Sequence, residues 1–174
     1  MKMFYQILPF FMMALLGGMQ SSLAQENLAI DTGRDSIGKL KVSLIYGTDG
    51  DINKAGKGLQ LLNAERLAEL NKLKAIKFTH YRLLGEDEQP ILRSYENWAN
   101  PMKNSKEILL SFQPRGKAAN DQLKMDLEFW QSRKKIMKSG ATLQKGVPLF
   151  IQGPAWRGGK VIITVELISL ADGK

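Results

Sequence analysis

Asp49, Asp51 and Asn53 place side-chain oxygens at alternate positions, the spacing with which a calcium loop begins, because a hard cation needs several oxygens converging from a tight turn. The rest of that pattern is missing. Lys54 stands where the turn requires glycine and Gln60 where the bidentate glutamate belongs, so the segment reads as a turn that caps a helix. Gly50 and Gly56-Lys57-Gly58 resemble a phosphate-cradling loop only in outline. Five residues separate Gly50 from the Gly-Lys pair instead of four, and Gly58 replaces the hydroxyl that would hold magnesium.

His80 is the sole histidine and cysteine is absent, which excludes histidine-rich zinc sites, thiol nucleophiles, iron–sulfur clusters and disulfides. No Gly-x-Ser-x-Gly elbow and no His-Glu-x-x-His helix occurs. His80 then reads as a structural or surface residue, and no metal or cofactor is expected. Glu86, Asp87 and Glu88, followed by Gln89 and Pro90, read as the solvated tip of a hairpin. Two distant carboxylates that meet only in the fold, as in glycan-cleaving enzymes, form one alternative for activity.

Binding chemistry is better represented than catalytic chemistry. Trp156 and Arg157, a residue pair favoured as interface anchors, top a Gly-rich hairpin, and Tyr95 and Trp98 fall in or beside expected loops. These four are the candidate partner-binding residues. Arg133, Lys134, Lys135 and Lys138 make the densest basic run and follow Phe129 and Trp130, a combination suited to nucleic acid, anionic lipid or a cell-wall polymer. The competing reading places Lys134 and Lys138 on one strand face with Ile136, as a charged guard on a sheet edge.

The elements that must position these residues follow from periodicity. Residues 40–46 alternate as a strand and stop at Gly47-Thr48-Asp49-Gly50. From Gly58, Leu59, Leu62, Leu67, Leu70 and Leu73 fall on one helical arc, predicting an amphipathic helix laid on a sheet. Strand-like runs follow at residues 76–84, 91–95, 107–112, 123–131, 134–138, 147–152 and 160–170. The alternation of Leu123, Met125, Leu127 and Phe129 is that of a half-buried antiparallel strand, with Ile108, Leu110 and Phe112 as its hairpin partner. Residues 147–152 and 161–170 form a second hairpin, and residues 97–105, with Pro101, a long surface connection. The expected fold is α+β: one amphipathic helix packed on a mainly antiparallel sheet or small β-sandwich.

Ahead of this domain, Met1-Lys2 and the apolar run of residues 4–16 lead to Ser22-Leu23-Ala24, the layout of a cleaved export signal. The expected division is therefore a signal peptide over residues 1–24, a flexible N-terminal arm over 25–39 and a single domain over 40–174. The 174 residues carry a formal net charge of +8 with 44% hydrophobic residues, and cleavage would remove one cation, Lys2. Together these features predict a periplasmic or secreted non-enzymatic module that binds an envelope or secreted protein through a strand edge or the Trp156 hairpin. A basic polyanion-binding protein is the alternative reading.

Overall fold

The computed structural model describes residues 31–57 and 59–171; the expected signal peptide, residues 1–24, lies outside the described residues. The strands are β1 (Ser36–Thr48), β2 (His80–Leu92), β3 (Asn97–Ala99), β4 (Ile108–Ala119), β5 (Gln122–Gln131), β6 (Lys134–Gln144), β7 (Leu149–Trp156) and β8 (Gly159–Leu170), with one helix, α1 (Ala64–Lys72). Short 3-10 turns occur at Thr32–Arg34, Ile52–Ala55 and Lys74–Ile76.

Two antiparallel sheets form, in the orders β2-β1-β8-β7 and β3-β4-β5-β6. They face one another across a shared core in which Leu40, Val42, Leu44 and Tyr46 of β1 and Val161, Ile163 and Val165 of β8 join Leu110 and Phe112 of β4 and Leu127 and Phe129 of β5. On the first sheet's other face, α1 and the turn after it contribute Leu70 and Ile76, which bury Ile45, Tyr81 and Ile162. The result is a sandwich-like pair of sheets with one short helix, broadly α+β. Coverage on both faces explains why residues 42–46 and 161–165 are buried without interruption, whereas β5 alternates strictly: its outer face has no covering layer among the described residues.

Several expectations need correction. The helix starts only at Ala64. Leu59 packs against the shared core, the Gln60 carbonyl accepts the Leu83 N–H at 2.9 Å, and Asn63 in extended conformation caps α1 by accepting the Arg66 N–H at 2.8 Å. A single backbone bridge from Gln60 to Leu83 of β2 thus keeps residues 59–62 out of the helix despite their leucine spacing. Residues 86–90 are not a hairpin tip but the middle of β2, where pairing with β1 sets Glu86 opposite Ser43 and Glu88 opposite Lys41. One strand therefore replaces the two expected at 76–84 and 91–95.

β1 begins at Ser36 and pairs with both neighbours from Gly38, so residues 36–39, expected in the flexible arm, belong to the sheet. The connection at 97–105 contains β3, and Pro101 within it is buried. Gly85 makes that crossing possible, since any side chain on it would collide with the Pro101 carbonyl oxygen.

Candidate functional site

The Trp156 hairpin is welded into the domain and is not an open docking loop. Trp156 is 4% exposed; its ring meets Tyr46 edge-on at 5.8 Å, and its indole N–H donates to Glu107 at 2.9 Å. Arg157 lies over the indole at 4.3 Å and donates to the Ala55 carbonyl at 3.1 Å. Tyr46 donates its hydroxyl to the Arg157 carbonyl. As an interface anchor Trp156 is thus corrected to a core residue, while the Arg157 side chain stays about half exposed.

Tyr95 is engaged locally: its hydroxyl donates to Asp31 at 2.7 Å, which holds the phenol above its usual range, and Arg34 lies over its ring. Trp98 stands apart from that group. It lies on β3 opposite Ser111, 42% exposed, with its ring 5.6 Å from Trp130. The four residues proposed from sequence therefore do not converge on one surface.

The basic run divides as well. Glu128 on β5 accepts from Lys135 at 2.9 Å and Lys138 at 3.1 Å, and these two bonds hold its carboxyl below the usual range. Lys135 also covers Trp130. The register slips between Phe129 and Trp130, so that Met137 and Lys135 are consecutive partners and Ile136 is bulged out between them. Lys135 and Lys138, not Lys134 and Lys138, consequently share the outer face. Arg133 sits in the β5–β6 turn with φ 67°, and Lys134 opens β6 as an exposed residue.

A polar cleft of about 240 Å³ lies between α1 and the first sheet, lined by Lys41, Ser43, Asn63, Arg66 and Glu86. Burial pushes the Glu86 carboxyl up, but the Ser43 hydroxyl at 2.8 Å and the Lys41 ammonium at 3.1 Å overcome it and hold Glu86 below the usual range. Arg66 bridges Glu69 and Glu166 at the same cleft. A general acid for glycan cleavage needs its proton held to higher pH; Glu86 is biased the other way, and its bonds fasten β2 to β1, while Arg66 fastens α1 to Glu166 of β8.

The strand edges differ sharply in what they offer a partner. β2 carries Pro90 and is bridged by Gln60 and by the Asn100 N–H donating to Asp87. β7 contains Pro154 and a register shift between Gln152 and Ala155. β3 has only three residues. β6 has 11 residues without proline, paired on one side to β5 and ending the second sheet.

The first half of β6 carries the lysines and the bulge that discourage casual pairing. Its second half, Ser139, Gly140, Ala141 and Thr142, is uncharged. Over Gly140 the outer face dips into a hollow of about 290 Å³ lined by Arg115, Lys124, Asp126 and Thr142, with nothing within 4 Å of where a Cβ on Gly140 would lie. The expected strand ends at Lys138, although Ala141 and Leu143 continue the inward alternation against Met125 and Leu123. No protein-family model, curated protein or solved structure matches the chain.

Proposed function

We propose that this chain is an exported, non-enzymatic interaction module, acting in the periplasm or outside the cell, that captures an extended segment of a protein partner by strand addition to β6. The observation that carries the reading is the contrast among sheet edges: proline, a bridging segment or short length blunts β2, β3 and β7, whereas residues 139–142 of β6 present an uncharged, unbulged edge. Strand addition draws its affinity from main-chain hydrogen bonds and its specificity from side chains at alternate positions. The hollow over Gly140 favours a large side chain at the cross-strand position. Lys134 and the net positive charge that remains without Lys2 favour acidic residues in the same partner segment.

The test uses Gly140→Lys with Thr142→Lys, which fills the hollow and charges the open half of the edge. Both positions are exposed, and Gly140 does not have positive φ, so the fold should tolerate the change. Envelope proteins retained by the wild-type chain after high-salt washing should fall at least about tenfold with the double variant, as lysine on an edge opposes pairing. Unchanged capture by a variant with wild-type melting temperature refutes docking at β6.

A further inference from the structure

Positive charge collects at one end of the sandwich, and this surface is separate from the open half of β6. The β7–β8 turn, the β5–β6 turn and the start of β4 meet there: the Ser132 N–H donates to the Glu107 carbonyl, and the Glu107 side chain accepts from Trp156 and faces Arg157 at 3.8 Å. Arg133, Lys134 and Lys106 therefore border the Arg157 turn.

The first sheet adds its own cations. Lys54 lies beside Gly158, Arg82 is paired in register with Tyr46 and Lys160 with Gly47, and with its side-chain amide turned, Gln152 joins Lys160 to the Ala75 carbonyl next to Lys74. Among the described residues the carboxylates at this end are Asp49, Asp51 and Glu107, and each is occupied. Asp49 accepts the Thr79 N–H and hydroxyl, Asp51 caps the Ile52–Ala55 turn, and Glu107 holds Trp156. Lys54, Lys106, Arg133, Lys134 and Lys160 form no ion pair among the described residues.

The centre of the patch is rigid. Arg157 and Gly158 both have positive φ, 47° and 81°, a two-residue turn in which Arg is an uncommon first residue. The indole beneath it and the Ala55 carbonyl beside it keep the guanidinium in place while about half of it faces solvent. Lys135 and Lys138 share the single carboxylate of Glu128 and point along the outer face of β5 and β6. Of the exposed large apolar residues, Leu61, Val147 and Ile168 lie outside the two turns that form this end, and Ile136, bulged out just after the β5–β6 turn, is the one beside it. A single isoleucine is a small wedge for a bilayer surface, and the rings nearest the turns, Trp130 and Trp156, are covered by Lys135 and Arg157, which leaves no open platform for bases there.

We infer that this end, centred on Arg157, binds a linear phosphate-bearing polymer through its charges and without base recognition. The probes are inorganic polyphosphate and a single-stranded oligonucleotide, followed by fluorescence anisotropy across a salt series, with phosphatidylglycerol vesicles as a separate arm. Lys54→Glu/Lys106→Glu/Lys160→Glu is compared with Lys39→Glu/Lys117→Glu/Lys145→Glu, which changes net charge equally at the opposite end. The first triple variant should weaken polymer binding by at least about tenfold and lower the slope of log K against log salt by about 2, at about 0.7 per lost contact. The second should change both far less. Equal losses from the two variants, or binding to vesicles without binding to either polymer, overturn the inference.

Discussion

Replacing Trp156 by alanine should cost far more stability than replacing Trp98, although sequence alone gave the two the same role. Trp156 is 4% exposed, against 42% for Trp98. Deleting the buried indole leaves a void beneath Arg157, removes the edge-on contact with Tyr46 and takes from Glu107 its 2.9 Å donor. Large aromatic deletions in cores cost about 3–5 kcal/mol. At roughly 2–4 °C per kcal/mol for a domain of this size, the midpoint should fall by roughly 6–20 °C. Trp156→Phe keeps the ring but not the N–H, and should cost about 1–3 kcal/mol for the unsatisfied partner and the lost volume. Trp98→Ala should stay within about 1 kcal/mol. Thermal unfolding followed by far-UV circular dichroism gives all three values. A Trp156→Ala midpoint within two or so degrees of wild type (about 1 kcal/mol or less) refutes the assignment of Trp156 to the core.

Other perturbations test the remaining parts. Glu86 has a folded pKa below its ordinary value of 4.5, so its stabilising contribution is complete above that value and is lost as pH falls through the lower folded one. Denaturant titrations should therefore show wild type more stable than Glu86→Gln at neutral pH, with the gap closing in acid; a constant gap contradicts the ion-pair role. Asn63→Ala removes the cap on α1 and should cost about 1 kcal/mol by urea unfolding, typical for a lost N-cap. Gly85→Ala forces a Cβ against the Pro101 carbonyl and should cost about 1–3 kcal/mol, the range for overpacking, in the same assay.

Sequence reading succeeded where one strand's own pattern determines its environment. β5 alternates because one face is buried and one open, and its hairpin with β4 follows with Leu110 opposite Phe129 and Phe112 opposite Leu127. The β7–β8 hairpin was legible for a similar reason, although its turn is the two residues Arg157 and Gly158 instead of the longer loop expected from the glycines. Failures came where a distant partner decides. Residues 59–62 carry helical spacing but are kept out of the helix by the Gln60 bridge to Leu83, and the acidic residues of β2 are tolerated in a strand because Lys41, Ser43 and the Asn100 N–H meet them.

Trp156 owes its burial to Tyr46 and Glu107, the latter 49 residues away in sequence, which no local window reveals. The candidate surfaces were less legible still. An open edge exists only once strand order is known, and the basic end gathers residues from turns scattered between Lys54 and Lys160. The dense run at 133–138 stands out because its lysines are close in sequence, yet two of them are tied to the one carboxylate of Glu128.

Hydrogen exchange of the β6 amides, in the chain alone and saturated with the protein it retains at high salt, tests docking most directly. Strand addition predicts that outward-facing amides within residues 139–142 exchange fast in the free chain and become strongly protected in the complex, while β2 and β7 change little. Protection confined to the Trp98 face, the Arg157 turn or the cleft beside α1, with β6 unchanged, would contradict it.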